Sequence, residues 1–477
     1  MSSSLRDALV AHLTALPNAA ELGVTVLVSA PKRTTAIFPH APSASVRCWE
    51  TEYLVVVNSS VPEAVDPGTN GSHPEPAQGP QAIPQSNTTT SQSSTTTRAN
   101  PQPTAAPTTP RVLAAAISAH LYTLPSPSPT SILYISKVDS SGYAPPSPLT
   151  RVLASGLLSY FLSPSTRPGG VTGSVTATLF ARSQGQYLFP NSVEGGGKRV
   201  LGGLGLCQWW KSVYEDAARL VGEVELSYLL PSYSASEAKG ILGPSRQPGV
   251  KWIYAPPFRT RLFRAKTSLA TLIPSLPDDP KTRFLEELVS SALDIPSTQQ
   301  SQDKEEKEKR SRKDAEAAED EAERRRAHVA LAKVPAGEFW ERMGFRQECA
   351  SGDVTGFFSA HAGPQRDETE RSPSVDGERE GERPYEPPRV PHAVSKPLVE
   401  RILTSMLNTD FGTRSLAYAG TDMWLASTRA LVLDEVGEDG WAASSATIAP
   451  TSSAAAPAPK RKEEAVTMLQ PRKKKRV

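Results

Sequence analysis

Four stretches of this sequence cannot build a core, and they decide what the remainder can fold into. Residues 58–110 are rich in Ser, Thr, Pro, Gln and Asn, with the run Asn87-Thr88-Thr89-Thr90 and almost no large apolar side chain. Residues 297–335 are mostly Lys, Glu, Arg, Asp and Ala, 363–393 are charged and proline-rich, and 436–477 are Ala, Ser and Pro followed by charge. Such segments bury too little apolar surface to offset the entropy of ordering them, so they are expected to be disordered inserts, a charged insert and a disordered basic tail. Subtracting them leaves 1–57, 111–296, 336–362 and 394–435, roughly 300 residues and enough for one large domain. The inserts therefore interrupt one fold rather than separate several.

The charge balance and the cysteines exclude several classes. Cys48, Cys207 and Cys349 have no paired spacing, which argues against a disulfide framework or a zinc site. The histidines form no HExxH pair and no G-x-S-x-G elbow is present, so metalloenzyme and serine-hydrolase readings fall away and no metal is expected. The N-terminus lacks a signal-peptide core and no apolar run approaches membrane-spanning length; the expectation is a soluble, intracellular protein with no membrane partner. Net charge is only +2, but the end of the chain, Pro471-Arg472-Lys473-Lys474-Lys475-Arg476-Val477, follows a second basic cluster at Lys460-Arg461-Lys462. That spacing reads as a nuclear-import address, and the same cations suit DNA phosphates or an acidic chaperone. Within the charged insert, Asp303 to Arg326 reads as one solvated helix of i,i+4 pairs.

Periodicity predicts interspersed helices and strands. Ser4 with Asp7 caps an amphipathic helix carrying Leu5, Leu9, Leu13 and Leu16; Leu22 to Ser29 and Glu52 to Val57 suit strands. Ser131 to Lys137 is a strand ended by an Asp139-Ser140-Ser141-Gly142 turn, and Val112 to Leu124 is left open because its alanines also permit a helix. Helices are predicted at 148–162, 206–221, 282–293, 337–348, 398–407 and 414–433, and strands at 175–181 and 354–359. The fold class is α/β or α+β, a single domain on a central mixed sheet surrounded by helices.

Three motifs carry chemistry. Gly195-Gly196-Gly197-Lys198-Arg199 fails the Walker pattern yet places cations beside glycines ahead of a helix, an arrangement suited to an anion or to an ordinary flexible loop. Trp209-Trp210 lie about 100° apart on a helix, so one ring can pack inward while the other lines a cleft. In Pro277-Asp278-Asp279-Pro280-Lys281-Thr282-Arg283-Phe284, prolines stiffen two carboxylates ahead of a lysine; proton acceptor, ion-pair partner and helix cap all fit that spacing.

Longer blocks bear a resemblance. Tyr134-Ile135-Ser136-Lys137-Val138-Asp139-Ser140-Ser141-Gly142-Tyr143, then Arg182-Ser183-Gln184-Gly185-Gln186-Tyr187-Leu188-Phe189-Pro190-Asn191-Ser192 running to Trp209-Trp210, resembles the fungal histone H3 acetyltransferases named as regulators of Ty transposition, which act on the lysine-56 site of H3. Residues 277–284 are similar to that family's autoacetylation loop, and Glu338-Phe339-Trp340-Glu341-Arg342 and Ala465-Val466-Thr467-Met468-Leu469 to its later blocks.

The resemblance implies an acetyltransferase domain related in fold to the metazoan CREB-binding-protein enzymes, with acetyl-CoA as cosubstrate in a cleft crossed by a loop. Carried over by position, Val138, Asp139 and Ser140 touch the cosubstrate or the acetyl end. Ser147 to Arg151 meet the pyrophosphate. Phe180, Gln184, Arg199, Val200, Leu201 and Trp209 line the rest. Trp210 lines the substrate-lysine channel beside Asp139 and Asp279, and Lys281 is the lysine acetylated by the enzyme itself. The implied partners are histones H3–H4 and the nucleosome-assembly-type and anti-silencing-function chaperones, with roles in replication-coupled nucleosome assembly and the DNA damage response, in the nucleus. The chemistry suits these residues: a lysine of pKa about 10.4 must lose a proton before attacking a thioester, a carboxylate in reach can accept it, and aromatic walls favour the neutral amine. An alternative reading is a non-catalytic nuclear scaffold that binds histone chaperones or DNA.

Overall fold

The computed structural model describes residues 4–17, 20–41, 47–61, 109–124, 130–144, 148–258, 268–293, 312–350, 352–364 and 387–450. The basic clusters at 460–462 and 472–476 and the 465–469 block lie outside them.

In chain order the elements begin with helix α1 (Leu5–Thr14), strands β1 (Leu22–Val28), β2 (Lys32–Thr34), β3 (Cys48–Ser60), β4 (Arg111–Leu124) and β5 (Thr130–Ser140), helix α2 (Leu149–Leu162) and strand β6 (Ser174–Ala181). Helix α3 (Gly203–Val221), β7 (Glu225–Leu229), α4 (Ala235–Leu242) and β8 (Trp252–Tyr254) follow. Then come α5 (Leu269–Leu272), α6 (Pro280–Leu293), α7 (Arg312–Ala332), α8 (Ala336–Met343), α9 (Gln347–Ala350), β9 (Gly356–Ala362), α10 (Lys396–Leu407), α11 (Arg414–Ser444) and β10 (Ser445–Ile448).

The strands form one ten-stranded mixed sheet in the order β10-β1-β3-β4-β5-β6-β9-β7-β8, with β2 paired to β3. Among the ladders of the described strands, β5–β6 and β7–β8 pair in parallel and the others are antiparallel. Parallel neighbours need a crossover, and α2 supplies it between β5 and β6. Both carboxyl ends of that pair therefore open at the same edge, where α2 starts. In open sheets this is where ligands lodge.

Two apolar layers hold the sheet. Leu9, Leu13, Leu153, Leu157, Phe161 and Tyr214, from α1, α2 and α3, pack on one face. Ile402, Met406, Phe411, Ala417, Trp424 and Val432, from α10, α11 and their connection, pack on the other. The alanine run of β4, open to two readings in the sequence, is strand: Ala115 and Ala116 are fully buried, one in each layer. Small side chains there let helices approach both faces of the sheet. The pairing of β3 with β4 shifts between Val57 and Asn58, so Ala114 is an extra residue in the ladder, and Ser141 at the end of β5 donates to the carbonyls of Ala114 and Leu113. Bulges of this kind re-aim strands beside functional sites.

Several expected boundaries move. Asp139 and Ser140, read as a turn, finish strand β5, and the chain turns only at Ser141-Gly142, where Gly142 has φ 83°. Strand β3 starts at Cys48 and continues through Asn58 and Ser59, both buried, into the stretch expected as insert. In the charged stretch, residues 303–311 lie outside the described residues and α7 is helical from Arg312; it runs past the expected end at Arg326, where Ala327 and Leu331 are buried with Phe339, Met343 and Phe357. Val394 pairs with Ser29, and Arg389 with Gly169, so part of the stretch around 363–393 is docked on the domain. The last core helix runs to Ser444 across a break at Gly437, and Ser445–Ile448 adds the edge strand β10 against β1, burying Ile448. Residues 436–448 thus belong to the fold, because they complete a sheet edge that would otherwise present unpaired backbone groups.

Candidate active site

Asp139 stands where β5 ends. Its Oδ2 accepts the backbone N–H groups of Tyr187 (2.8 Å), Leu188 (2.9 Å) and Phe189 (3.2 Å), its Oδ1 accepts that of Ser140 (2.8 Å), and Lys198 Nζ lies 2.6 Å from Oδ1. One carboxylate thereby folds the loop between β6 and α3 back over the end of the sheet. The glycines make that approach possible. A Cβ on Gly142 would sit 2.5 Å from the Lys198 nitrogen, and one on Gly197 would sit 2.5 Å from the Gly142 carbonyl oxygen. The Gly195–Gly197 run is thus a close-packed strap rather than a phosphate cradle, and Lys198 is turned inward onto Asp139 and Ser192 Oγ (2.9 Å).

Beneath the strap lies a cleft of about 940 Å³. Val138, Asp139 and Ser140 of β5, Phe180 of β6, Gln184, Arg199, Val200 and Leu201 of the loop, Arg151 of α2, and Trp209 and Trp210 of α3 all line it. Ser147 lies outside the described residues. Arg151 sits in the first turn of α2, whose N-cap Pro148 offers no side-chain bond, so an uncapped helix end and a guanidinium share one wall. The Trp209 and Trp210 rings meet edge to face at 4.8 Å; Trp210 is the deeper, at 6% exposure, yet both border the cleft.

A smaller cavity of about 200 Å³ shares Ser136, Lys137, Phe180, Arg182, Gln184 and Tyr187 with the cleft and adds Tyr134, Asp278, Pro280, Arg283 and Glu348. Here the two adjacent aspartates part company. Asp278, strained at φ 57°, bonds Lys137 Nζ at 2.6 Å, and that bond lowers its pKa. Asp279 turns the other way and is only 1% exposed; it accepts the Lys281 N–H at 2.9 Å and ion-pairs with the Lys281 ammonium. Lys281 is fully buried, with Nζ 4.6 Å from the Phe357 ring centre, and Phe357 in turn stacks 4.7 Å from Phe180 on the cleft wall. Burial pulls the Lys281 ammonium below its ordinary pKa, and Asp279 opposes that shift. The pair therefore lies one aromatic layer behind the cleft, and neither residue lines it.

The comparisons with known proteins bear on this arrangement. The family model described as the histone acetyltransferase KAT11-type domain matches residues 166–427, more than half of the chain. The chain belongs to the KAT11-type histone acetyltransferase family. It is similar to the histone acetyltransferase rtt109 of Aspergillus flavus, 28% identical over 264 residues, covering 47% of this chain and 41% of that protein. It is also similar to that of Schizosaccharomyces pombe, 29% identical over 235 residues, covering 48% of this chain and 52% of that protein. The chain thus spans about half the length of the curated relatives it matches. The crystal structure of Rtt109 from Aspergillus fumigatus shares its fold, with a TM-score of 0.60 at 22% identity over 91% of this chain and 97% of that one.

Three residues depart from the sequence expectation. Lys198, anticipated as a phosphate contact, is spent on Asp139. Asp139 borders the cleft, but its oxygens are filled by four N–H groups and an ammonium, which leaves no lone pair facing a substrate. Asp279 is sequestered with Lys281, while its neighbour Asp278 is the one that faces a cavity. Sequence reasoning also missed Arg182, Tyr187 and Arg414, all on the cleft wall. Among the described residues no carboxylate is ion-paired with Arg182, Arg199 or Arg414. Arg414 belongs to a helix more than 200 residues beyond the loop it faces, and no local motif signals that approach.

Proposed function

We propose that this chain transfers acetyl from acetyl-CoA to lysines of histone H3, the lysine-56 site first among them, with a histone chaperone presenting the H3–H4 dimer. The observation that carries this reading is convergence. Segments 138–140, 180–184, 199–201 and 209–210, with Arg151, are scattered over more than 70 residues and meet around one cleft with a basic rim and aromatic walls. Arg151 and Arg199 suit the phosphates of CoA, and the tryptophans suit its pantetheine arm and the aliphatic stem of a lysine.

In the reaction the neutral lysine amine attacks the thioester carbonyl, the carbon–sulfur bond breaks, and the CoA thiolate leaves. The amine's proton goes to a carboxylate. Asp139 holds the strap; proton acceptance falls to Asp279, buried beside the smaller cavity that its neighbours Asp278 and Pro280 border together with Tyr134, whose hydroxyl donates to the Pro277 carbonyl at 3.0 Å. Asp279 is unavailable while Lys281 is charged. Acetylation of Lys281, whose buried amine is already easier to deprotonate, would turn the ion pair into a neutral contact and release the carboxylate.

Transfer is direct rather than through an acetyl-cysteine. Burial pushes the Cys207 thiol up to about 12 and the Cys349 thiol up to about 11, and neither lines the cleft. The reading is tested by incubating the full chain with labelled acetyl-CoA and H3–H4, with and without a nucleosome-assembly-type or anti-silencing-function chaperone, and mapping acetyl-lysines by mass spectrometry. Chaperone-stimulated labelling centred on lysine 56 of H3 is expected. Binding of chaperone without any acetyl transfer would establish the scaffold instead.

A further inference from the structure

The loop after α4 is tied to α3 by a charged network that the reaction above does not use. Lys211 and Glu215, exposed by 5% and 1%, pair at 2.8 Å; Lys211 Nζ also donates to the Pro244 carbonyl at 2.8 Å. Glu215 accepts the Arg246 N–H and the Trp252 Nε1–H, both at 3.0 Å. The next residue on α3, Asp216, joins this platform to α2. Its Oδ1 accepts Gln247 Nε2 at 3.1 Å, and its Oδ2 accepts Arg151 Nε at 2.7 Å.

Resting on the proposed function, we infer that Asp216 is the positioning residue that aims Arg151 at the phosphates of the acyl donor. A guanidinium binds a phosphate bidentately only through a correctly turned edge. Asp216 occupies Nε, and among the described residues no acceptor is bonded to the two Nη atoms, so the edge of this cleft-lining guanidinium left for an anion is the Nη edge. Gln247 fixes Asp216 in turn, and the buried Lys211–Glu215 pair fixes the loop that carries Gln247. Networks of this kind hold a geometry more firmly than any single contact. An anionic carboxylate so near a phosphate site would repel the ligand unless its charge were already committed; its bond to Arg151 commits it.

The test compares acetyl-CoA with acetyl-pantetheine, which lacks the diphosphate and the adenosine. In Asp216→Ala, KM for acetyl-CoA is expected to rise about ten- to hundredfold, the range of a lost bond to a charged group, with kcat nearly unchanged. KM for acetyl-pantetheine stays at the wild-type value. Asp216→Asn, which keeps an oxygen for Nε and can bond Gln247 in the reversed sense, restores most of the affinity. The Arg151→Ala/Asp216→Ala double variant is no weaker than Arg151→Ala alone. Equal losses on both donors, or additive losses in the double variant, would show a merely structural aspartate and overturn the inference. A loss in Arg151→Ala without one in Asp216→Ala overturns it alone. An unchanged KM in Arg151→Ala overturns the phosphate reading of the cleft together with it.

Discussion

Asp139 and Lys281 are both charged residues removed from water, and they show how differently a buried charge can be used. Asp139 is compensated by four backbone donors and Lys198, the arrangement that makes a carboxylate a structural knot. Asp139→Asn keeps the shape but replaces an acceptor oxygen by a donor amide and leaves Lys198 buried without its partner. The expected cost is about 3–5 kcal/mol of stability, visible as a lowered denaturation midpoint, with loss of acetyl-CoA binding as the strap detaches. A variant as stable as the wild type would contradict the structural role. Lys281, by contrast, faces a single carboxylate and an aromatic ring. Lys281→Arg retains the charge and cannot be acetylated, so Asp279 stays occupied; turnover is expected to fall by about a hundredfold or more, the size of a general-base contribution. Lys281→Gln, which resembles the acetylated side chain, is expected to keep most of the rate, and equal rates in the two variants would remove autoacetylation from the scheme.

At the scale of elements, docking depends on a few residues that composition conceals. Helix α7 reads as solvated because charge dominates it, yet Leu331 is fully buried with Phe339 and Phe357, the latter being the ring under Lys281. Leu331→Ala is expected to cost about 2–4 kcal/mol in thermal or denaturant unfolding; an effect below about 0.5 kcal/mol would mean the helix end is surface after all. Helix α10 is held to β3 by charge. Lys396 lies 3.1 Å from Glu50 Oε2 and pairs with Glu52, and His120 Nδ1 is 3.5 Å from Glu50. Burial alone would raise the Glu50 carboxyl, but the nearby His120 and the bonded Lys396 outweigh that and hold the pKa at about 2, below the ordinary 4.5. The folded state therefore binds fewer protons than the unfolded one between those values. This contribution is fully present above about pH 4.5 and is lost as pH falls toward 2. The melting temperature of Glu50→Gln should accordingly decline less between pH 4.5 and 2 than that of the wild type; parallel curves would refute the assignment. What the sequence disclosed at this scale follows from what periodicity can carry. Most helices and strands emerged where periodicity placed them, but the helix expected at 337–348 breaks into α8 and α9, and the one expected at 414–433 runs on to Ser444. The alanine run of β4 did not resolve, because small residues satisfy either period and only packing on both faces decides. The site's residues were legible as blocks, whereas their division of labour was not. That Asp139 binds three consecutive N–H groups 48 to 50 residues away is a fact of tertiary geometry.

Across the whole molecule, the long polar stretch at 62–108 leaves and re-enters the fold at one place. Ser60 pairs with Arg111 at the end of the β3–β4 ladder, and the Val61 N–H donates to the Pro110 carbonyl at 2.9 Å. Replacing 62–108 with a short turn should therefore stabilise the fold by only about 2 kcal/mol, because loop-closure entropy changes by about 0.6 kcal/mol per doubling of length. Acetyl transfer should persist; a collapse of folding would show that the stretch contributes to the core. The larger claim is that distant segments of a KAT11-type chain converge on one cleft that binds acetyl-CoA and passes its acetyl group to histone lysine. The most direct measurement is the initial rate of label transfer from acetyl-CoA to chaperone-bound H3–H4, for the wild type and for Trp210→Ala, with folding of the variant checked by its melting temperature. Robust transfer by the wild type and at least about a hundredfold loss in a folded Trp210→Ala protein is the predicted result. Equal rates in the two, or no transfer by the wild type, would contradict it.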